Sequence, residues 1–336
     1  MTTRPRKNAE IHKKKILMFF CFASISITPM FWIISALQPS FPSERYFEIT
    51  YAATFKDLPK DAGSIQIWIP LASSREGQTI LNREIKVPVT YQITTDPVYE
   101  NEMVYFEIKQ PMPEALTFEA TYTAEVSHRN FLTSSNHEKN LQKYLKPSRL
   151  AVVNEEVRDR TRDAIGKKMS WPEKAKAIYD DVIHHMNYDK TVPGWGRGDT
   201  VRACLLGKGN CTDFHSLFIS MAYAAEIPAR FKIGFTVPES PAGEIPGYHC
   251  WAEFYEENTG WKPVDASEAW KHPKRKEAYF GNFDTNKFLI SVGRDINLVP
   301  RQSEPPVNIF FYPYVEVDGK EWNGAKTSFQ FKNLKS

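Results

Sequence analysis

Residues 207–215 read GKGNCTDFH, and this stretch decides the fold. The turn Gly207-Lys208-Gly209-Asn210 closes one short helix, capped by Asp199, and Cys211 opens the next. In that second helix Phe214, Leu217, Phe218, Met221, Ala222 and Ala225 recur at helical spacing until Pro228 ends it. A cysteine at a helix start has unpaired backbone N–H groups and partial positive charge beside its sulfur. Both favour thiolate, and the same N–H groups suit a developing oxyanion. On these residues alone, a buried structural cysteine stands as an equal reading.

Downstream, residues 229–237, 248–255 and 261–265 read as strands. In YHCWAEFY (248–255), alternation puts His249, Trp251, Glu253 and Tyr255 on one face and the more apolar Tyr248, Cys250, Ala252 and Phe254 on the other. A hairpin through 256–260 brings Asp265, at the end of the next strand, near His249. A carboxylate there can accept from the imidazole and fix its tautomer, the third part of a nucleophile–base–orienter set. Upstream, Ser170-Trp171-Pro172-Glu173 is a capping box. It starts a helix whose Ala175, Ile178, Tyr179, Val182, Ile183 and Met186 form the buried stripe. Helices followed by strands predict an α+β domain.

The blocks Gly209-Asn210-Cys211-Thr212-Asp213-Phe214-His215, Ile227-Pro228-Ala229-Arg230, Tyr248-His249-Cys250-Trp251-Ala252-Glu253 and Gly260-Trp261-Lys262-Pro263-Val264-Asp265 resemble the transglutaminase-like superfamily, in order and spacing, over about residues 170–270. Glu226 stands where that family often has Gly before Ile-Pro. The resemblance implies a papain-like α+β fold with Cys211 as nucleophile, His249 as base and Asp265 as orienter. It also implies a thioester acyl-enzyme, resolved by water (peptidase or amidase) or by an amine (acyl transfer). The family often places an aromatic residue upstream of the cysteine to support the oxyanion. Tyr188 is the candidate here, with Trp195 in reserve, and Asn210 is a further candidate. Trp251 and Trp261 are expected to line the substrate cleft. No metal or cofactor is expected. The implied partner is a peptide or protein substrate, a cell-wall peptide among them.

Before this region, residues 45–126 carry YFEITYAATF, SIQIWIPL, IKVPVTYQIT, MVYFEIKQ and LTFEATYTAEV, aromatic or β-branched runs separated by turn residues. They predict an N-terminal β-sandwich over 41–130. With Asp57-Leu58-Pro59 and Trp68-Ile69-Pro70, this part also resembles the β-domain preceding the module in some exported bacterial relatives. The catalytic domain is expected over 135–295 and a C-terminal β extension over 296–336.

Residues 16–37, ILMFFCFASISITPMFWIISAL, form an uncharged run of 22, long enough to span a membrane. The tail 1–15 carries six Lys/Arg and one acid. By the positive-inside rule it stays cytoplasmic. The expected arrangement is a single-pass anchor at the cell membrane, or an uncleaved signal, with the remainder on the extracytoplasmic side; a cleaved signal peptide is the competing reading.

The whole chain of 336 residues is 42% hydrophobic, 25% charged and 13% aromatic, proportions that exclude a disordered or coiled-coil chain. Its net charge of +3 belongs to the tail. Removing those six and that one from the 43 basic and 40 acidic residues leaves 37 and 39, a net of −2. No nucleic-acid partner is expected. Three other readings stay open on the residues alone. Cys211, His215 and His249 could ligate zinc, though the spacing is not that of a familiar site. Cys204 and Cys250 could pair as a disulfide. The Pro/Gly-rich segment 238–247 could be a lid. At the level of function, a catalytically silent binding or scaffold protein of the cell envelope is the alternative to an enzyme.

Overall fold

A computed structural model describes residues 41–111, 113–133, 140–168, 170–257 and 259–334. The expected anchor at 16–37 lies outside them. Among the described residues no helix is long and apolar enough to cross a membrane.

The first part of the chain forms β1 (Glu44–Lys56), β2 (Ile65–Leu71), β3 (Gln78–Lys86), β4 (Gln92–Thr95), β5 (Glu102–Ile108) and β6 (Ala115–Ser127). The short helix α1 (His128–Thr133) follows. Next come α2 (Glu155–Ile165), α3 (Trp171–His185), β7 (Asn187–Tyr188), α4 (Thr200–Leu206), β8 (Lys208–Gly209) and α5 (Cys211–Ala224). The strands β9 (Ala229–Thr236), β10 (Ala242–Glu244), β11 (His249–Glu256) and β12 (Gly260–Val264) lead to α6 (Ala266–Lys271). The chain closes with β13 (Lys287–Val292), β14 (Tyr314–Val317), β15 (Lys320–Glu321) and β16 (Ala325–Leu334).

Two five-stranded sheets, in the orders β10-β16-β1-β6-β3 and β15-β14-β2-β5-β4, make up the β-rich part. Alternation sets their inner faces. Phe47, Ile49, Tyr51 and Phe55 of β1, Phe118 and Tyr122 of β6, and Ile65, Ile67 and Ile69 of β2 share one buried cluster. Each such side chain contributes about 1.5–3 kcal/mol on leaving water. The strands after residue 296 join these sheets: β16 pairs with β1 along Tyr46↔Leu334 to Phe55↔Ala325, and β14 pairs with β2. The run 85–94, expected as one strand, is instead the end of β3 and all of β4, with a break over 87–91. Pro88 lacks the N–H a ladder needs, and the chain crosses there from one sheet to the other.

The core that carries the motifs is a four-stranded antiparallel sheet, β12-β11-β9-β13, with α5 packed on β9 and β11. Helix α3 starts at the Ser170–Glu173 capping box, and α4 runs from cap Asp199 to a left-handed Gly207. The segment 238–247 is strapped down. β10 pairs with the end of β16, and Ile245 N–H donates to the Phe329 carbonyl at 2.9 Å.

Candidate active site

Local chemistry builds the start of α5. Asn210 is its N-cap: Oδ1 accepts from Thr212 N–H at 2.9 Å, while Asp213 Oδ2 accepts from Asn210 N–H at 3.0 Å. Asp213 also accepts from Gly196 N–H at 2.7 Å and Gly198 N–H at 3.1 Å, tying the preceding loop to the helix. Gly209 is required by this packing, since a Cβ there would lie 2.2 Å from Asp213 Oδ2. Cys211 therefore occupies the first turn of a fixed helix, 2% exposed.

His249 opens β11, opposite Gly234 of β9, and is 7% exposed. Its Nε2 lies 2.6 Å from Asp265 Oδ2. With Nε2–H donated to the carboxylate, Nδ1 is left for the sulfur, and Cys211 lies within electrostatic reach of the imidazole. Asp265 caps α6: its Oδ1 accepts from Glu268 N–H and from the Ser267 hydroxyl, each at 3.0 Å. The carboxylate is thus held from one side by a helix start and from the other by the imidazole.

Burial opposes charge on every member of this group, and the neighbours reverse it. For Cys211, burial pushes the thiol up, but hydrogen bonds from Cys250 and His249 and the imidazolium charge bring it well below the usual thiol range. For His249, burial pulls down, but the Asp265 charge and hydrogen bond, then Cys211, raise it to about 10. Asp265 stays well below the usual carboxylate range, against burial, because of Lys287 and His249. The consistent state at neutral pH is a thiolate–imidazolium pair beside an ionised carboxylate.

The other expected residues divide. Tyr188 is half-buried within electrostatic reach of the sulfur; burial first, then the Cys211 charge, pushes its phenol up. Its ring lies 6.4 Å from Trp270 and beneath Lys271 Nζ at 4.2 Å. Asn210 Nδ2 donates one of its two protons to the Tyr248 hydroxyl at 2.8 Å, while its Oδ1 holds the helix start. Trp195 lies in the exposed loop before α4, with Lys190 Nζ 5.6 Å from its ring. Trp251 and Trp261 are not cleft residues. They are 4% and 1% exposed and pack under cations, Lys287 Nζ at 5.2 Å and the Arg230 guanidinium at 4.1 Å. Alternation suggested exposure for Trp251, but the strand is covered on both faces. His215, the third zinc candidate, accepts from Ala266 N–H at 3.1 Å through Nε2, and its Nδ1 lies 4.0 Å from Cys250 Sγ. Cys204, Cys211 and Cys250 are all free thiols, so no Cys204–Cys250 disulfide forms.

Three contributors went unread in the sequence. Lys287 Nζ lies 2.7 Å from Asp265 Oδ2. Its only local signal is a lysine opening an apolar strand. Cys250 was read as core, and it is core, yet its thiol donates to Thr212 Oγ1 at 3.5 Å and lies within electrostatic reach of Cys211. Tyr248 shares Asn210 with the helix start and lies 3.4 Å from the Thr212 hydroxyl. Its adjacency to His249 was the available hint.

A buried cysteine on a helix start, facing a histidine and an aspartate on neighbouring antiparallel strands, defines a papain-like thiol site on a transglutaminase-like fold. Residues 158–266 match the model of the transglutaminase-like superfamily. An uncharacterized protein of Haemophilus influenzae is 31% identical across 58% of this chain and 61% of its own length, so the chain spans less than two thirds of that relative. The crystal structure of a candidate cysteine protease from Cytophaga hutchinsonii shares the fold at 17% identity, covering 87% of this chain and 92% of its own, with a TM-score of 0.59. The periplasmic domain of TgpA from Pseudomonas aeruginosa aligns over 70% of this chain and 91% of its own at 17% identity, with a TM-score of 0.35.

Proposed function

We propose that the protein is a thiol enzyme acting on peptide or other amide bonds through a Cys211 acyl-enzyme. The observation that carries this reading is His249 Nε2 at 2.6 Å from Asp265 Oδ2, with Cys211 at the start of α5 within electrostatic reach of the imidazole. The Cys211 thiolate attacks the amide carbonyl carbon and forms a C–S bond. The oxygen takes the negative charge, facing the Cys211 backbone N–H at the start of α5, with the Tyr188 phenol as the side-chain donor. His249 gives its Nδ1 proton to the leaving amine as the C–N bond breaks, and a thioester remains. Water then attacks that thioester, His249 accepts the water proton, and Cys211 is released with the acid product. We assign hydrolysis rather than cross-linking because water is abundant and no feature of the chain marks a second amine site.

The uncharged run 16–37 behind a basic tail supports an anchor that puts this activity on the extracytoplasmic side of the cell membrane, where cell-wall peptides are among the available substrates. The test of the chemistry is intact-mass trapping of the full chain in detergent with an activated amide. An adduct of the acyl mass that is lost in Cys211→Ala supports the reading. Equal turnover by wild type and Cys211→Ala overturns it.

A further inference from the structure

A groove of about 540 Å³ lies between the catalytic core and the segment leading into β14. Gly196, Arg197, Tyr248, Pro306, Phe311 and Tyr312 are among its walls. The hydroxyl of its lining residue Tyr248 accepts from Asn210 Nδ2, at the start of α5, at 2.8 Å. Gly196 has φ +79°, and a Cβ there would lie 3.2 Å from Asn210 Nδ2 and 3.4 Å from the Tyr248 hydroxyl. Asn210 is the residue before Cys211. The floor is aromatic, with Tyr248 and Phe311 rings 5.7 Å apart and Phe311 and Tyr312 4.9 Å apart. Tyr312 is 46% exposed.

The charges around the groove are not equivalent. Arg149 is spent on Asp295, at 3.0 Å, and on the Pro306 carbonyl. Arg197 has a fixed backbone, its carbonyl accepting from Arg294 and from Asn308 at 3.0 Å each. Its guanidinium is exposed and has no hydrogen-bond or ion-pair partner among the described residues. Arg197 follows Gly196 in the chain; it lines the groove, as do Glu304 and Glu321.

We infer that this groove seats the peptide segment beside the reacting amide, taking an aromatic or branched apolar side chain on Tyr248, Phe311 and Tyr312 and a neighbouring carboxylate on Arg197. The inference rests on the proposed thiol chemistry and adds its substrate class, acidic–apolar peptides. The volume suits a few residues of extended chain, as ligand sites of roughly 300–1,000 Å³ do. An unpaired arginine at a half-enclosed wall favours a carboxylate over an ammonium through charge-assisted hydrogen bonds.

The experiment is a fluorescence-anisotropy titration of full-length Cys211→Ala protein in detergent with labelled acetyl-Glu-Phe-Gln-Gly, acetyl-Gln-Phe-Gln-Gly and acetyl-Lys-Phe-Gln-Gly peptides. The glutamate peptide is expected to bind roughly tenfold more tightly than the lysine peptide. Arg197→Glu should reverse that order, and Tyr312→Ala should weaken all three alike. Both positions are exposed, so folding is not at issue. Unchanged affinities in the two variants, or no saturable binding of any peptide, overturns the assignment. Alkylation of Cys211 in the Arg197→Glu single variant, measured separately, reports the thiol site. A reactive thiol without peptide selectivity rejects the groove alone, whereas an inert thiol in wild type rejects the proposed chemistry.

Discussion

Lys287 Nζ lies 2.7 Å from Asp265 Oδ2, the same oxygen that accepts from His249 at 2.6 Å. Two cations therefore share one buried carboxylate oxygen, which keeps Asp265 ionised in a site that excludes water. The sign of the linkage follows. A carboxylate with a lowered folded pKa contributes stability that is present above its unfolded value of about 3.9 and is lost as pH falls through the folded value. Lys287→Met should cost about 3–5 kcal/mol by breaking a buried pair. It should also move acid unfolding to higher pH. Urea melts at neutral pH and an acid titration of the fold check both, and an unchanged acid midpoint would contradict this role for Lys287.

Asp265→Asn breaks the same buried pair and should cost stability by about 3–5 kcal/mol. In the folded protein it should lower turnover by roughly 10³–10⁴-fold, as expected when the orienting carboxylate of such a set is neutralised. The check is kcat/KM on any substrate found, with thiol labelling in parallel. Labelling should shift to higher pH in the same variant, because the charge that supports the imidazolium is gone.

Cys250→Ala removes the neighbouring thiol whose influence lowers the Cys211 pKa. The expected outcome is a higher apparent pKa for Cys211 alkylation with little loss of fold. An identical pH profile in the variant would mean that Cys250 has no influence on the thiolate.

Trp261→Ala should destabilise by about 3–5 kcal/mol, the cost of emptying a core aromatic site. The Arg230 guanidinium, 4.1 Å from the ring centroid, would lose this cation–π contact while keeping Glu253 at 2.6 Å. A thermal or urea melt checks this. A stable variant with altered substrate selectivity would restore the expectation of a cleft residue.

Much of the local structure was legible because it is locally encoded. The Ser170–Glu173 box, the Asp199 cap, the left-handed Gly207 and the Asn210–Cys211 helix start all depend on residues within four positions of one another. The strands β9, β11 and β12 were legible through their β-branched and aromatic content. Alternation then failed on β11, since residues 249–254 are all buried and period two no longer separates core from site. Non-local terms account for the rest. Lys287 meets Asp265 across 22 positions of sequence, and β16 closes on β1 across nearly the whole described chain. Pro88, visible in the sequence, marked the sheet crossing that the single run 85–94 concealed.

The most direct test of the thiolate–imidazolium pair is the rate of Cys211 alkylation against pH in the full-length protein, followed by peptide mapping, with Cys211→Ser and His249→Ala as controls. The predicted rate stays high well below about pH 8.5, the range of a free thiol. In His249→Ala it should decline towards that range as the imidazolium support is lost. A wild-type rate that falls off near 8.5, or that is slow at every pH in the folded protein, would contradict the pair and with it the proposed enzyme.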